Sequence, residues 1–455
     1  MPSCSGSSKN RPVPAADIAS RFSDDALETL FAPFAEVGRL ALAVSGGADS
    51  LGLLILAQRW RASRATGPEL LVLTVDHGLR AESAAEAAFV GDIARRYGLC
   101  FHSLRWTDPA PPTGIEAAAR AARYALLLDA ARTAGATHLA TAHHRDDQAE
   151  TFLMRLARGS GVYGLAAMGA DVDRDGIRLV RPLLDVAHDE LVAVVRDAGL
   201  NPVDDPHNSD PGFDRVRFRR LMPVLAAEGL DAPTLAGTAR RLGRAAAALD
   251  AYAGRLFARA AVADPTGAVR LEAQAWSDEP EEVRLRALAR ILRAVGGGAY
   301  VPRLESLEAL ETAMRQALQG EPGGRLVRTL AGTLIDLRKG VFRFQRELGR
   351  EGLAEISVEN GFAGIWDGRF AVRITFTGEA AFTIGAIGPE GRRQIAICVP
   401  KGMPRAIDAL PALRRNGEIL AVPGLGVVAE RCPDIVFEAT SLVELRMLEP
   451  VRSAD

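Results

Sequence analysis

Ser45-Gly46-Gly47-Ala48-Asp49-Ser50 stands between a short apolar run, 39–44 (RLALAV), and a helical pattern from Asp49 to Arg61. A strand that ends in two glycines and reopens as a helix permits few architectures. The glycines let the chain turn tightly and let a ligand come close to the backbone. The helix start then offers unpaired N–H groups and a positive dipole end to an anion. Ser45 and Ser50 add hydroxyls. Asp49 would repel phosphate unless a divalent cation bridges the two, so Asp49 is a predicted Mg2+ ligand. No G-K-S/T follows, which separates this loop from the Walker A pattern.

The chain then repeats the same alternation. Apolar runs at 69–75, 100–104 and 137–142 read as strands, and 83–97, 114–134 and 146–158 read as helices. Short strands alternating with helices predict a parallel sheet covered on both faces. Ligands of such sheets sit beyond the carboxyl ends of the strands. The polar clusters at 45–50, at Asp76-His77 and at 143–150 all fall on that rim.

With 455 residues, the chain is too long for one ordinary core. Residues 1–23 are rich in Ser, Pro and Ala and read as a frayed tail, followed by a helix near 24–34. The alternating pattern spans 24–230. From 231 to 350, Ala- and Arg-rich helical runs (238–257, 281–294, 303–318) predict a mainly helical, substrate-binding domain closed by a hairpin-like stretch at 325–346. Residues 351–455 mix alternating apolar positions with Gly and Pro and predict a small α+β domain, with a turn at 366–370.

A formal net charge of −2 argues against a generic basic coat for nucleic acid, though not against a local basic face. The only lysines are Lys9, Lys339 and Lys401. Arginine grips phosphate in a bidentate way, but a GC-rich coding bias is the preferred cause of the excess. Cys4, Cys100, Cys398 and Cys432 form no C-x-x-C pair, which disfavours zinc ribbons and disulfide frameworks and predicts a reducing, cytoplasmic setting. No apolar run approaches the ~20 residues of a membrane helix.

Three more clusters carry chemistry. His143, His144, Asp146, Asp147 and Glu150 crowd the start of a predicted helix; Asp146/Glu150 and His143/Asp147 are four apart, so each pair is expected to share a face. Helix capping explains part of this, and a His/Asp metal site is a rival reading. Glu116, Arg120 and Arg123 follow i, i+4, i+7 spacing, which a surface ion pair would also satisfy. The run 204–210 (DDPHNSD) precedes Arg215, Arg217, Arg219 and Arg220, a group suited to an RNA backbone or to a solvated helix start.

The 45–50 loop resembles the PP-loop of the N-type ATP pyrophosphatases. The 143–151 block resembles the H-H-x-D-D-Q-x-E-T signature of lysidine synthetases, and Arg158–Gly161, Gly164-Leu165 and Met168 extend it. Residues 114–124 resemble that family's G-x-E-x-x-A-R-x-x-R-Y segment. Asp76-His77-Gly78-Leu79-Arg80 and Arg181-Pro182-Leu183-Leu184 match other family stretches. Two departures stand out: His207, where small residues are common, and Val216, where the family has Asn beside Arg215. Looser similarity over 351–455, including Pro404-Arg405, Leu410-Pro411 and 423–426, resembles the family's tRNA-binding C-terminal domain.

This resemblance implies a PP-loop catalytic domain that binds ATP through Ser45, Gly46, Gly47, Ala48, Asp49 and Ser50, with Asp76 and His77 flanking the adenosine. It implies catalytic roles for Asp49, Arg123, His143, Asp147 and Glu150, and tRNA contacts at Arg217, Arg219 and Arg220. The implied partners are free L-lysine and a tRNA(Ile) with a CAU anticodon, and a homodimer is kept as one expectation of assembly. The implied reaction adenylates the wobble cytidine and then joins lysine to it, releasing AMP and pyrophosphate. A tRNA thiolation enzyme on the same loop, or a non-catalytic tRNA-binding protein with a relic loop, are the alternatives.

Overall fold

Apolar segments only a few residues long bury themselves best as neighbouring strands with helices laid over both faces. The computed structural model describes residues 21–76, 78, 82–107, 115–174, 176–203, 212, 214–298, 301–320, 326–377, 381–395, 405–428 and 435–449, with 115–117 described for backbone only. His77, the 204–210 run, Phe213, Pro404 and residues 1–20 of the N-terminal tail lie outside them. The chain divides into two units, Met1–Gly243 and Arg244–Asp455.

The first unit begins with α1 (Asp24–Phe31), β1 (Arg39–Ala43), α2 (Ala48–Ala62), β2 (Glu69–Asp76) and α3 (Ser83–Arg96). It continues with β3 (Cys100–Arg105), α4 (Ile115–Thr133), β4 (His138–Ala140), α5 (Arg145–Leu156) and the short α6 (Val162–Leu165). Then come β5 (Asp171–Arg174), β6 (Ile177–Val180), α7 (His188–Asp197) and α8 (Asp214–Ala227). The six strands form one sheet in the order β3-β2-β1-β4-β6-β5. All neighbours are parallel except the β5–β6 hairpin at one edge.

Period-two alternation sends Leu40 and Leu42 to one face, where Phe31, Leu54, Trp60, Val90 and Leu191 join them. Ala41, Leu71 and Leu73 point to the other, against Leu127 and Ala131 of α4. Each fully buried Leu contributes about 1.5–3 kcal/mol. Trp60 stacks on Phe31 with centroids 5.3 Å apart and donates its indole N–H to Glu28 at 3.0 Å. The strand order matters most for function. The chain lays β2 and β3 on one side of β1, then returns to lay β4 on the other. The loops after β1 and β4 diverge at that reversal, which is where α/β sheets open a crevice.

α9 (Ala232–Ala260) contains the division between units. The second unit has β7 (Ala261–Ala263), β8 (Val269–Glu272), α10 (Ala273–Ser277), α11 (Glu281–Gly296), α12 (Leu304–Gln319), β9 (Val327–Leu330), β10 (Thr333–Arg338) and β11 (Val341–Arg346). Its strands form an antiparallel sheet, β7-β8-β11-β10-β9, packed on α11 through Trp276, Leu288, Ile291, Phe342 and Phe344. Over 231–350 helices dominate, as expected, although the hairpin-like stretch is a three-stranded meander that pairs with β8.

Beyond residue 351 lie two small sheets. β12 (Ile356–Val358), β15 (Phe382–Ala386), β16 (Pro411–Arg415), β17 (Glu418–Val422) and β18 (Val427–Val428) form one; β13 (Ala363–Trp366), β14 (Phe370–Thr375) and β19 (Val436–Ser441) form the other. Asp367 and Gly368, both at positive φ, turn the chain between β13 and β14. The left-handed Gly297 that ends α11 abuts this turn: a Cβ on Gly297 would stand 2.1 Å from the Asp367 carbonyl, and one on Gly368 would stand 2.1 Å from the Gly297 carbonyl.

Candidate active site

The loop after β1 is shaped by its glycines. Gly46 has φ 88°, and a Cβ there would meet Val203 Cγ2 at 3.2 Å. Both strain and crowding therefore exclude a side chain. Gly47 is the N-cap of α2 and provides no side-chain cap. The first helical bond runs from Leu51 N–H to the Gly47 carbonyl, so the N–H groups of Ala48, Asp49 and Ser50 have no intrahelical acceptor. Ser50 instead ties the loop together: its hydroxyl donates to the Gly47 carbonyl at 3.0 Å and accepts from the Ser45 N–H at 3.1 Å. The result is a closed turn facing the rim with bare donors, a cradle for an anion.

At the end of β2, the Asp76 carboxylate accepts from the Gly78 N–H at 3.0 Å and from the Ser83 hydroxyl. Asp76 thus fastens its own turn and the start of α3.

The loop after β4 carries the second cluster. His144 is the N-cap of α5, and its N–H donates to Asp147 Oδ2 at 3.1 Å. Capping is therefore part of what this block does. It is not all, because His144 is buried and lies 3.5 Å through Nε2 from Asp49 Oδ2. Burial alone would lower its pKa; hydrogen bonds it donates to Asp146 and Asp49 and the charges of Asp147 and Asp49 raise it to about 10. The Asp147 N–H lies 3.4 Å from Nδ1, the long side of the capping box. A ring that carries both protons turns that nitrogen towards Asp146, 3.6 Å away, as a donor.

His143 behaves differently. It precedes α5, so the helical face it was expected to share with Asp147 does not exist; i, i+4 geometry holds only inside a helix. Its Nδ1 shares a hydrogen bond with Thr141 Oγ1 at 2.9 Å. Burial pushes its pKa down to about 3, and Arg181 pushes the same way. His143 is therefore a neutral imidazole beside a protonated one.

His188 was not foreseen. It opens α7, and its Nδ1 lies 2.8 Å from Asp49 Oδ1. Its backbone N–H donates to Asp146 Oδ2 at 2.9 Å. α7 reaches α2 closely because Gly52 has no side chain: a Cβ there would meet Leu191 at 3.1 Å. Burial would raise the Asp49 pKa, but bonds from His144 and His188 hold it far below the usual carboxylate range. Asp49, the expected Mg2+ ligand, has both its oxygens facing imidazoles. Mg2+ takes oxygen donors and keeps its waters. Two ring nitrogens and one carboxylate do not fit that preference.

Carboxylates and guanidiniums fill the rest of the rim. Glu150 is 1% exposed; burial raises its pKa against the opposing pull of Arg219, whose Nε lies 2.7 Å from Oε1. Arg215 stands 3.5 Å from Glu150 and 3.9 Å from Asp147. The four arginines of α8 therefore split. Arg215 and Arg219, four apart, turn inward to the carboxylates, while Arg217 faces outward beside Asp214 and Arg220 is exposed. Arg219, expected to contact tRNA, is half-exposed and also pairs with Glu150.

On α4, Arg123 is open to solvent, yet protein surrounds it closely enough that burial lowers its pKa; Arg120 and Arg215 lower it further. Among the described residues no carboxylate comes within ion-pair distance of it. A cation in a recess with cations for neighbours is a site for an anion.

Residues 20–225 match the family described as a PP-loop domain. A tRNA(Ile)-lysidine synthase of Bradyrhizobium sp. strain BTAi1 is 49% identical over 329 residues, covering 70% of this chain and 92% of that protein. One from Ruegeria pomeroyi is 38% identical over 392 residues, covering 86% of this chain and 89% of that protein.

The chain belongs to the tRNA(Ile)-lysidine synthase family.

It is thereby an enzyme, an ATP-using PP-loop ligase, and the parallel-sheet PP-loop domain expected from the strand–helix alternation is present. Among solved structures, the U34-tRNA thiolase NcsA of Methanococcus maripaludis aligns with a TM-score of 0.42 and 16% identity, over 50% of this chain and 80% of that one. That likeness is too remote to weigh against family membership. No helix among the described residues is long and apolar enough to cross a membrane.

Proposed function

We propose that the enzyme joins free L-lysine to the wobble cytidine of a CAU-anticodon tRNA(Ile) in the cytoplasm, through an adenylated cytidine, with release of AMP and pyrophosphate. The observation that carries this reading is the meeting, at one strand-order reversal, of a bare helix start and a buried acid. The first suits a leaving pyrophosphate and the second an incoming amine.

In the first step the cytosine O2 attacks the α-phosphate of ATP. The bond between the α- and β-phosphates breaks, and pyrophosphate departs into the N–H groups of Ala48, Asp49 and Ser50. Arg123, with no carboxylate partner among the described residues, faces the negative charge that grows on the phosphates. Fixed donors of this kind lower the barrier because they need no reorganisation. In the second step a lysine amine attacks C2 and AMP leaves. The amine must first lose a proton. Glu150, with its pKa raised by burial, and Asp147 beside it can orient the ammonium and accept that proton. Arg215 and Arg219 supply positive charge for the lysine carboxylate or the departing AMP. Arg217 and Arg220, outward on α8, are left to meet the tRNA backbone.

The test is to incubate the protein with labelled lysine, ATP and a tRNA(Ile) transcript. Label that enters the tRNA only when ATP is present, with one AMP formed per lysine, is the expected outcome. ADP as the product, or no label in the tRNA, overturns the reading.

A further inference from the structure

The group Asp49, His144 and His188 reaches beyond what ligation needs. One ligand atom from each lies within 4.8 Å of the other two. His188 Nδ1 is 2.8 Å from one Asp49 oxygen, and His144 Nε2 is 3.5 Å from the other. Three ligands about 2.1 Å from a shared ion are roughly 3.0–3.4 Å apart. The two His–Asp49 spacings, taken to different carboxylate oxygens, lie on either side of that range, and no pair in the trio exceeds 4.8 Å.

The three side chains come from three elements, and each is held by a contact outside the trio. Asp49 sits in the first turn of α2, which Gly52 lets approach α7. The His188 backbone is fixed by Asp146, and the His144 backbone by Asp147. These contacts fix where the two rings start from, and the His144 Nδ1 lies 3.6 Å from Asp146, the side on which a carboxylate supports a metal-bound imidazole. His144 is buried, while Asp49 and His188 are partly open, so an ion has a way in and coordination positions face the rim.

Two imidazoles and one carboxylate form a borderline donor set that favours first-row transition ions over Mg2+. We propose that Asp49, His144 and His188 bind one divalent transition-metal ion, of the Mn2+, Co2+ or Zn2+ class, in the absence of nucleotide. The site then selects its metal through the two rings, and its remaining positions lie beside the phosphate cradle. The rival is a cluster of His–Asp hydrogen bonds with no ion.

Co2+ is the probe, added to tag-free protein without ATP, tRNA or lysine, with binding read as ligand-field absorption and by equilibrium dialysis. One Co2+ per chain is expected, with at least a tenfold weaker affinity in His188→Ala and in Asp49→Asn, and no displacement by a tenfold excess of Mg2+. His188→Asn separates the rival, because its amide keeps a hydrogen bond to Asp49 but offers no ring nitrogen; it too should lose Co2+. Circular dichroism shows whether each variant is folded. Absorption that fails to rise in the wild-type protein, equal affinity in wild type and folded His188→Asn, or displacement by Mg2+ at matched concentration overturns the proposal. The site coincides with that of the proposed ligation, but the readouts are separate. A protein that ligates lysine yet takes up no Co2+ refutes the metal site alone, and one that binds Co2+ but never labels tRNA refutes the ligation alone.

Discussion

Both units bury charge, but they treat it in opposite ways. In the second unit, the buried arginines of α11 are answered on the spot. Arg284 meets Glu311 at 2.7 Å, and Arg286 grips Asp250 through two bonds of 2.6 and 2.8 Å. Arg290 donates to the Met447 and Asp250 carbonyls at 2.7 and 2.9 Å. Arg369, fully buried, takes Asp367 and the Ala409 carbonyl. On the rim of the first unit, among the described residues, Arg123 has no acid, Ala48–Ser50 have bare N–H groups, and Glu150 is kept at a raised pKa. Charge that is matched inside the protein is architecture. Charge left open at a strand-order reversal is a place for something that arrives from outside.

The largest expected effect lies in the second unit. Arg286→Ala removes the two-bond partner of half-buried Asp250, leaving only Arg290 3.5 Å away, and should cost about 3 kcal/mol of stability in urea unfolding. The ATP-dependent chemistry of the surviving folded protein should be unchanged. A loss below about 1 kcal/mol would mean that the two units do not differ as described. Next comes Arg123→Ala, which should slow AMP formation about 10²–10³-fold, the scale of one lost transition-state donor, while the melting temperature holds. If it melts earlier and reacts at the normal rate, Arg123 belongs with the structural arginines.

Smaller again is the pair Arg217→Ala and Arg220→Ala. Together they should reduce the slope of log affinity for tRNA against log salt by about 1–2. An unchanged slope in filter binding would leave the outer face of α8 without an RNA role. The smallest effect concerns His138 on β4, away from the rim, whose pKa burial lowers below the ordinary 6.5. Its folded form favours the neutral ring, so the unfolded chain binds protons more readily. Its contribution is complete above pH 6.5 and is lost as pH falls through the depressed folded value, by at most about 1.4 kcal/mol per pH unit. His138→Gln should flatten acid-side unfolding without touching AMP formation. A steeper curve would reverse the sign argued here.

Local signals made the first unit legible. The Gly-Gly turn, the runs of Val and Leu, and helical spacing over 114–134 anticipate β1, α2 and α4 within one or two residues at each end. Their physics lies in neighbouring residues. What was missed depends on distance. His188 meets Asp49 from 139 positions away, and nothing in its own surroundings marks it except the Arg181–Leu184 stretch just before it. The shared face of His143 and Asp147 did not form because His143 lies before α5, which begins at Arg145. The inward turn of Arg219 depends on where α8 rests against α5, which no window on α8 encodes. The β5–β6 hairpin did leave a local trace, the Asp175-Gly176 pair, which is a strong hairpin signal.

The reciprocal contact of Gly297 and Gly368 has a genetic consequence. A methyl group on Gly297 meets the Asp367 carbonyl and one on Gly368 meets the Gly297 carbonyl, so a substitution at either one cannot be rescued by trimming a side chain at the other. The stretch before 350 and the stretch after it are therefore bound to be inherited as a pair. A recombination that exchanged one for a homologue's version would have to carry both glycines with it or lose the seam.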